Sequence, residues 1–298
     1  MIKYFISAVL ILILLPACKA QKESNYTLNK NDNTLLWKVS GNGLQKPSFL
    51  FGTFHLMCKD DIHFSEQMKK AIKASDQIYM EMDMDDPTMM LSGMMYMNMK
   101  DGKKLEDLYT KEEFDRLQHY FKDSLKMPLM MFQKAKPYFL VALFYPKMMK
   151  CKTPSGIEQE IIAIAKEDKK EISGLETMQF QASVFDSIPY EYQAKELLKN
   201  IDSFAVNKKE FESMLEIYKN QRLDSMLSKM DFSELGGEKF EDILLTNRNI
   251  NWVAQLKNNI MPKESVFVAV GAGHLVGENG LISLLRKAGY TVQPLANK

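Results

Sequence analysis

Apolar and polar positions follow two rhythms along the chain. In "LLWKVSGNGLQKPSFLFGTFHL" two β-rich runs flank Gly-Asn-Gly and a following Lys-Pro, which predicts a hairpin. Phe64, Met68, Ala71, Ile72 and Ser75 then recur at helical spacing, with Ser65 as the cap. "DQIYMEMDMD" alternates with period two, placing Ile78, Met80, Met82 and Met84 on one strand face and Tyr79, Glu81, Asp83 and Asp85 on the other. "DDPT" ends that strand and opens a methionine-rich helix over Pro87–Met99. Helical patterning runs from Leu105 to Lys150, broken at Pro128 and Pro137. A helix and a short strand follow in "SGIEQEIIAIAKEDKKEISGLE", and further helices extend from Met178 to Asn258. "SVFVAVGAGH" is a continuous apolar run entering a glycine turn, the pattern of a strand buried on both faces. A helix (Leu281–Ala288) and a strand (Tyr290–Pro294) close the chain. The order predicts an α/β (α+β) fold: one domain over residues 34–298, its central mixed β-sheet built from both ends of the chain, with a large helical insertion between them.

The first residues read as a targeting segment. Residues 1–17 carry Lys3, an apolar run from Tyr4 to Leu15, and a "LPAC" ending. The run is shorter than the about 20 residues a membrane-spanning helix needs, so it reads as a signal peptide. "LPAC" resembles a bacterial lipobox, with Cys18 as the lipidated first residue of the mature protein. Residues 18–33 form a polar tether. The expectation is an exported bacterial lipoprotein, periplasmic or anchored at the outer membrane, which meets the membrane through its N-terminal lipid. An oxidising compartment then allows a Cys58–Cys151 disulfide, two free thiols being the alternative.

With 298 residues, 46% of them hydrophobic, and a net charge of +1, the chain offers no basic surface for nucleic acid. Two turns carry the candidate chemistry. Gly52-Thr53-Phe54-His55 and Gly271-Ala272-Gly273-His274 share the spacing G-x-x-H, each directly after a strand-like run. Strand ends are where ligands sit in α/β sheets, and glycine permits close approach there. Either histidine alone reads as readily as a hydrogen-bonded turn residue; the pair points to a site. Glu81 is either part of a solvated strand face or, beside the first turn, the third member of a His55, His274, Glu81 ligand set for a divalent transition metal. Glu176 in "GLET" and Arg248 in "LLTNRNINW" are candidates for further roles. On a helical wheel of Phe240–Lys257, the apolar residues Phe240, Ile243, Leu244, Ile250 and Ala254 share a face, with Asn247 in its middle and Arg248 on its edge beside Trp252. His63 and His119 read as surface residues. The methionines around Met80–Met99 read as a soft Cu(I) site or as the lining of an apolar groove for a peptide or lipid-like ligand. No nucleophile elbow, phosphate-binding loop or H-E-x-x-H helix is present.

G-T-F-H after a hairpin strand, "YMEMD", "ISGLET", the "NRN" helix and the closing "VGAGHLVGENGL" together resemble the TraB/GumN family, to which the TIKI proteases belong. The resemblance spans roughly Leu35 to Pro294. It implies a fold related to the ChaN and erythromycin-esterase group, and a metal-dependent hydrolytic site of His55, His274 and Glu81 with Mn²⁺ or Co²⁺. It also implies roles for Arg248 and Glu176. The expectation is a metal-dependent hydrolase, a peptidase acting on a peptide or protein substrate. The alternative is a lipoprotein that binds a peptide or small apolar ligand without cleaving it.

Overall fold

The computed structural model describes residues 32–86, 95–229 and 241–298. The leader, Cys18, most of the tether, residues 87–94 of the methionine-rich segment, and Phe240 lie outside the described residues. Among the described residues eight strands form two sheets. Six strands form the main sheet in the order β6-β4-β7-β2-β1-β8, and β3 and β5 form a two-stranded ribbon. The strands are β1 (Leu36–Ser40), β2 (Ser48–Thr53), β3 (Met57–Cys58), β4 (Gln77–Met80), β5 (Pro154–Ser155), β6 (Ile172–Gly174), β7 (Val266–Gly271) and β8 (Thr291–Pro294).

The hairpin β1–β2 closes through Gly41, Asn42 and Gly43, all at positive φ (80°, 47° and 83°), the conformation its Gly-Asn-Gly sequence favours. β8 adds antiparallel to the free side of β1, so the first and last described strands lie side by side at one edge of the sheet. The other half is parallel: β2 pairs with β7, β7 with β4, and β4 with β6. β2 is buried at every position and β7 at all but its last, which is why both read as apolar runs without alternation. The fold is therefore of the α/β class with a mixed central sheet.

The helices are α1 (Glu66–Ala74), α2 (Lys111–Tyr120), α3 (Pro137–Val141), α4 (Tyr145–Met148), α5 (Ile157–Glu167), α6 (Met178–Asp186), α7 (Tyr190–Asp202), α8 (Phe204–Lys219), α9 (Leu223–Lys229), α10 (Asn247–Gln255) and α11 (Leu281–Lys287). One apolar cluster joins the sheet to α1, α5, α10 and α11; a second gathers Leu105, Leu117, Phe121, Leu140, Phe144 and Leu197 of the helical insertion. Ser65 caps α1 by accepting from the Met68 N–H at 3.1 Å.

One expected element is shorter than its pattern. β4 stops at Met80, and the alternation expected through Asp85 is not realised. Beyond Met80 the chain bends: Glu81 turns inward toward a buried arginine, and Asp83 hydrogen-bonds Asp85. An ionised carboxylate entering a dry interior needs a cationic partner, and that requirement overrides the strand rhythm. His63 and His119 are exposed, His119 bonding the Asp115 carbonyl through Nδ1.

Candidate active site

The parallel pairings determine what meets. Thr53 of β2 stands opposite Gly271 of β7, and Met80 of β4 opposite Ala269. β2, β7 and β4 are adjacent and parallel, so their carboxyl ends open at the same edge of the sheet. His55, His274 and Glu81 each follow one of these ends within a few residues. Gly271 is the floor they share: a Cβ there would lie 3.2 Å from Glu81 Oε1 and 3.7 Å from both His55 Nε2 and His274 Cδ2. Gly52 packs under the turn that carries His274, where a Cβ would meet the Ala272 Cβ at 2.9 Å. Gly273 lies within that turn, a 3-10 segment over Ala272–His274.

Each histidine is held through Nδ1. His55 Nδ1 is 2.7 Å from Glu158 Oε1, and its side chain is 72% exposed. This hydrogen bond, opposed by desolvation, raises the His55 pKa to about 9. Glu158 is itself buried in the first turn of α5; burial works against its charge, but His55 holds its pKa below the usual range. Thr53 Oγ1, buried without a hydrogen-bond partner, lies near enough to Glu158 to favour its ionised form.

His274 is the reverse case. It is buried, and its Nδ1 lies 2.7 Å from Asn249 Oδ1. Asn249 Nδ2 donates to the carbonyls of Asn279 (2.8 Å) and His274 (3.4 Å), so its oxygen is the acceptor and His274 Nδ1 carries the proton. His274 Nε2 therefore presents a lone pair, which accepts from Arg248 Nη1 at 3.2 Å. Desolvation, with Arg248 and His55 nearby, lowers the His274 pKa to about 3 despite Glu81, so the ring is neutral near pH 7.

Arg248 is the hub. Nη2 donates to Glu81 Oε2 (2.6 Å) and Glu176 Oε1 (2.5 Å), Nε to Glu176 (3.0 Å), and Nη1 to the Leu244 carbonyl (3.1 Å) and His274. All five N–H groups of the guanidinium are thus engaged. It also stacks on Trp252, whose Nε1 donates to Glu176 Oε2 at 3.1 Å. Burial works against the Glu81 charge, yet the cationic groups His274 (when protonated), Arg248 and His55, with the Gly271 N–H at 2.9 Å, bring its pKa to about 2. Glu176 shifts the other way, upward, because burial and the neighbouring Glu81 outweigh Arg248.

The structure corrects the wheel of the "NRN" helix. Asn247, Ile250 and Ala254 are exposed, while Arg248, Asn249, Trp252, Val253 and Leu256 face inward. The face that carries the ionic hub reads as polar in any hydrophobicity wheel, which rotates the expected stripe away from it. Glu158, Asn249 and Gln181 are site residues that sequence reasoning missed; Gln181 Nε2 donates to Glu81 Oε2 at 3.1 Å. The signal for Glu158 was the cysteine pair. Cys58 and Cys151 are joined in a disulfide, which brings the chain before α5 to the turn after His55.

Two imidazoles turned by Nδ1 partners and an ionised carboxylate are the donor set that binds divalent transition ions, the Nδ1 bonds being the usual orienting arrangement. In kind the residues are those that hold such an ion, and each imidazole has its Nδ1 engaged by a partner. Among the described residues no group of three or more His, Cys, Asp or Glu side chains is placed to hold a metal ion, and His274 Nε2 is engaged by Arg248.

A mixed sheet that delivers two G-x-x-H turns and a strand-end glutamate to one edge defines a family-level arrangement, and the family profile described as TraB/PrgY/gumN matches residues 35–294. The chain belongs to that family. It is 23% identical over 271 residues to Uncharacterized protein YbaP of Shigella flexneri, covering 90% of this chain and 96% of that protein. It is 22% identical to YbaP of Escherichia coli strain K12, with 80% and 87% coverage. It is also 22% identical to Metalloprotease TIKI1 of Xenopus tropicalis, across 97% of this chain and 67% of that protein. No solved structure matches the chain.

Proposed function

We propose that this chain is a metal-dependent hydrolase of peptide bonds, with a divalent transition ion, Mn²⁺ or Co²⁺, held by His55, His274 and Glu81. The observation that carries the reading is the convergence of the two imidazoles and Glu81 Oε1 on Gly271. The similarity to a metalloprotease supports the reaction class. Such an ion acidifies water and polarises a carbonyl when bound. The chain's own groups do the rest. Glu158 and Asn249 engage the Nδ1 atoms, so that His274 Nε2 presents a lone pair and His55 Nε2 would do so on releasing the proton it holds near pH 7. Arg248 bridges Glu81 and Glu176 and keeps two buried carboxylates within reach of one another. Glu176 fixes Arg248 and Trp252 in place; with every Arg248 N–H engaged, stabilising a developing oxyanion would require one of those bonds to be exchanged.

The purified mature chain, stripped of metal and reloaded with Mn²⁺ or Co²⁺, is to be incubated with a peptide library and analysed by mass spectrometry. Cleavage that depends on the ion and is abolished in His55→Ala and His274→Ala supports the proposal; cleavage surviving both substitutions ends it. Ligand binding by calorimetry that is indifferent to chelator, with no product, would favour the non-cleaving alternative. Export and lipidation on Cys18 belong to the same proposal, and intact-mass analysis of the membrane-extracted protein tests them. Among the described residues no helix is long and apolar enough to cross a membrane.

A further inference from the structure

The segment after His55 and the segment before α5 form one small unit. Met57 pairs with Ser155 and Cys58 with Pro154, and the Lys59 N–H donates to the Thr153 carbonyl at 3.0 Å. The Ile157 N–H donates to the Phe54 carbonyl at 3.3 Å. Gly156 lies so close to the turn that a Cβ on it would stand 2.5 Å from the His55 carbonyl oxygen. This contact places Glu158, two residues on, at 2.7 Å from His55 Nδ1. A ribbon of two residues per strand has little stability of its own. The Cys58–Cys151 bond, spanning 93 residues of sequence with Cα atoms 5.8 Å apart, is the covalent link between its halves.

We propose that the Cys58–Cys151 disulfide is a positioning element of the site: it holds the first turn of α5 against the turn carrying His55, so that reduction releases Glu158 from His55 and slows turnover. Both cysteines are only partly buried, so a small reductant reaches them. A trialkylphosphine donates two electrons to the S–S bond and leaves as the phosphine oxide with an oxygen from water, while each Sγ takes a proton. The His55–Glu158 bond then depends on the ribbon's few hydrogen bonds alone. The turnover readout rests on the hydrolase reading; the structural readout does not.

The test compares the oxidised full chain, the phosphine-reduced chain and Cys58→Ser/Cys151→Ser, all Mn²⁺-loaded. Hydrogen exchange is followed at the Lys59 and Ile157 amides, and kcat and KM on a cleaved peptide. Loss of an orienting partner costs about 10- to 100-fold, so the expected result is at least tenfold faster exchange at both amides, kcat lower by that range at unchanged KM, and recovery on reoxidation. Gly156→Ala, with the disulfide intact, displaces the same contact and is expected to reproduce the kcat loss, which decides the matter if the reduced chain unfolds. Unchanged exchange on reduction, or faster exchange with unchanged kcat, overturns the proposal. If the oxidised chain cleaves no peptide, it is the hydrolase reading that fails; exchange alone then judges the clamp, faster exchange supporting it and unchanged exchange overturning it.

Discussion

The two G-x-x-H turns differ more in physics than in sequence. His55 sits on an exposed turn with a buried carboxylate at Nδ1, and its pKa rises to about 9. His274 is buried with a neutral amide at Nδ1, and its pKa falls to about 3. The same motif therefore yields a cationic ring on one strand end and a neutral ring on the next, side by side across Gly271. The lesson is that the Nδ1 partner and the depth of burial set the charge of a histidine, and neither is written in the motif.

The largest effect should come from removing what keeps the buried side ionic. Arg248→Met leaves Glu81 and Glu176 without their counter-ion and should cost about 3–5 kcal/mol in urea unfolding. Glu158→Gln should cost less, about 1 kcal/mol, because Glu158 is buried but its partner His55 is exposed and solvent screens that side of the pair. Equal losses would abolish the distinction between the two turns.

Asn249→Leu strips the acceptor from the buried His274 Nδ1–H, and a loss of about 1–3 kcal/mol is expected in the same assay. A third measurement compares charge directly. In histidine NMR titrations of the metal-free chain, Glu158→Gln should return the His55 pKa from about 9 toward its ordinary 6.5 and leave His274 neutral across the range. A His55 pKa unmoved by that substitution would remove Glu158 as the cause.

The smallest effect is in the pH dependence of stability, where the two rings act with opposite sign. His55 binds its proton more tightly folded than unfolded, so its contribution is complete below about 6.5 and is lost as pH rises through about 9. His274 resists protonation when folded, so its contribution is present above about 6.5 and is lost as pH falls toward 3. Urea midpoints measured against pH should show the alkaline slope flattened by His55→Asn and part of the acid slope flattened by His274→Asn.

Much of this arrangement was legible before any tertiary structure. β2 and β7 were readable because a strand buried on both faces is apolar throughout, and the hairpin because Gly-Asn-Gly accepts positive φ. His55 and His274 stood out because each follows a strand-like run through G-x-x-H in a chain of four histidines, and Glu81 because its alternating strand, set beside the first turn, would bring it to His55. Asn249 and Glu158 were not legible. A buried face built on an ionic hub gives a wheel no apolar signal, so Asn247 was placed inward where Arg248 and Asn249 belong. Glu158 lies 103 residues from His55, and only the ribbon and disulfide convert that separation into 2.7 Å.

By itself the sequence determined the local alphabet of this protein: which runs are strands, where glycine lets the chain turn, and which side chains can carry protons or hold a metal ion. Tertiary structure alone decided their states. Parallel pairing set which strand ends share an edge; burial and the Nδ1 partner set the charge of each histidine; and Arg248 joined Glu81, Glu176 and His274 into one network. Charge and hydrogen-bond occupancy depend on distances between residues far apart in the chain, and folding is what sets those distances.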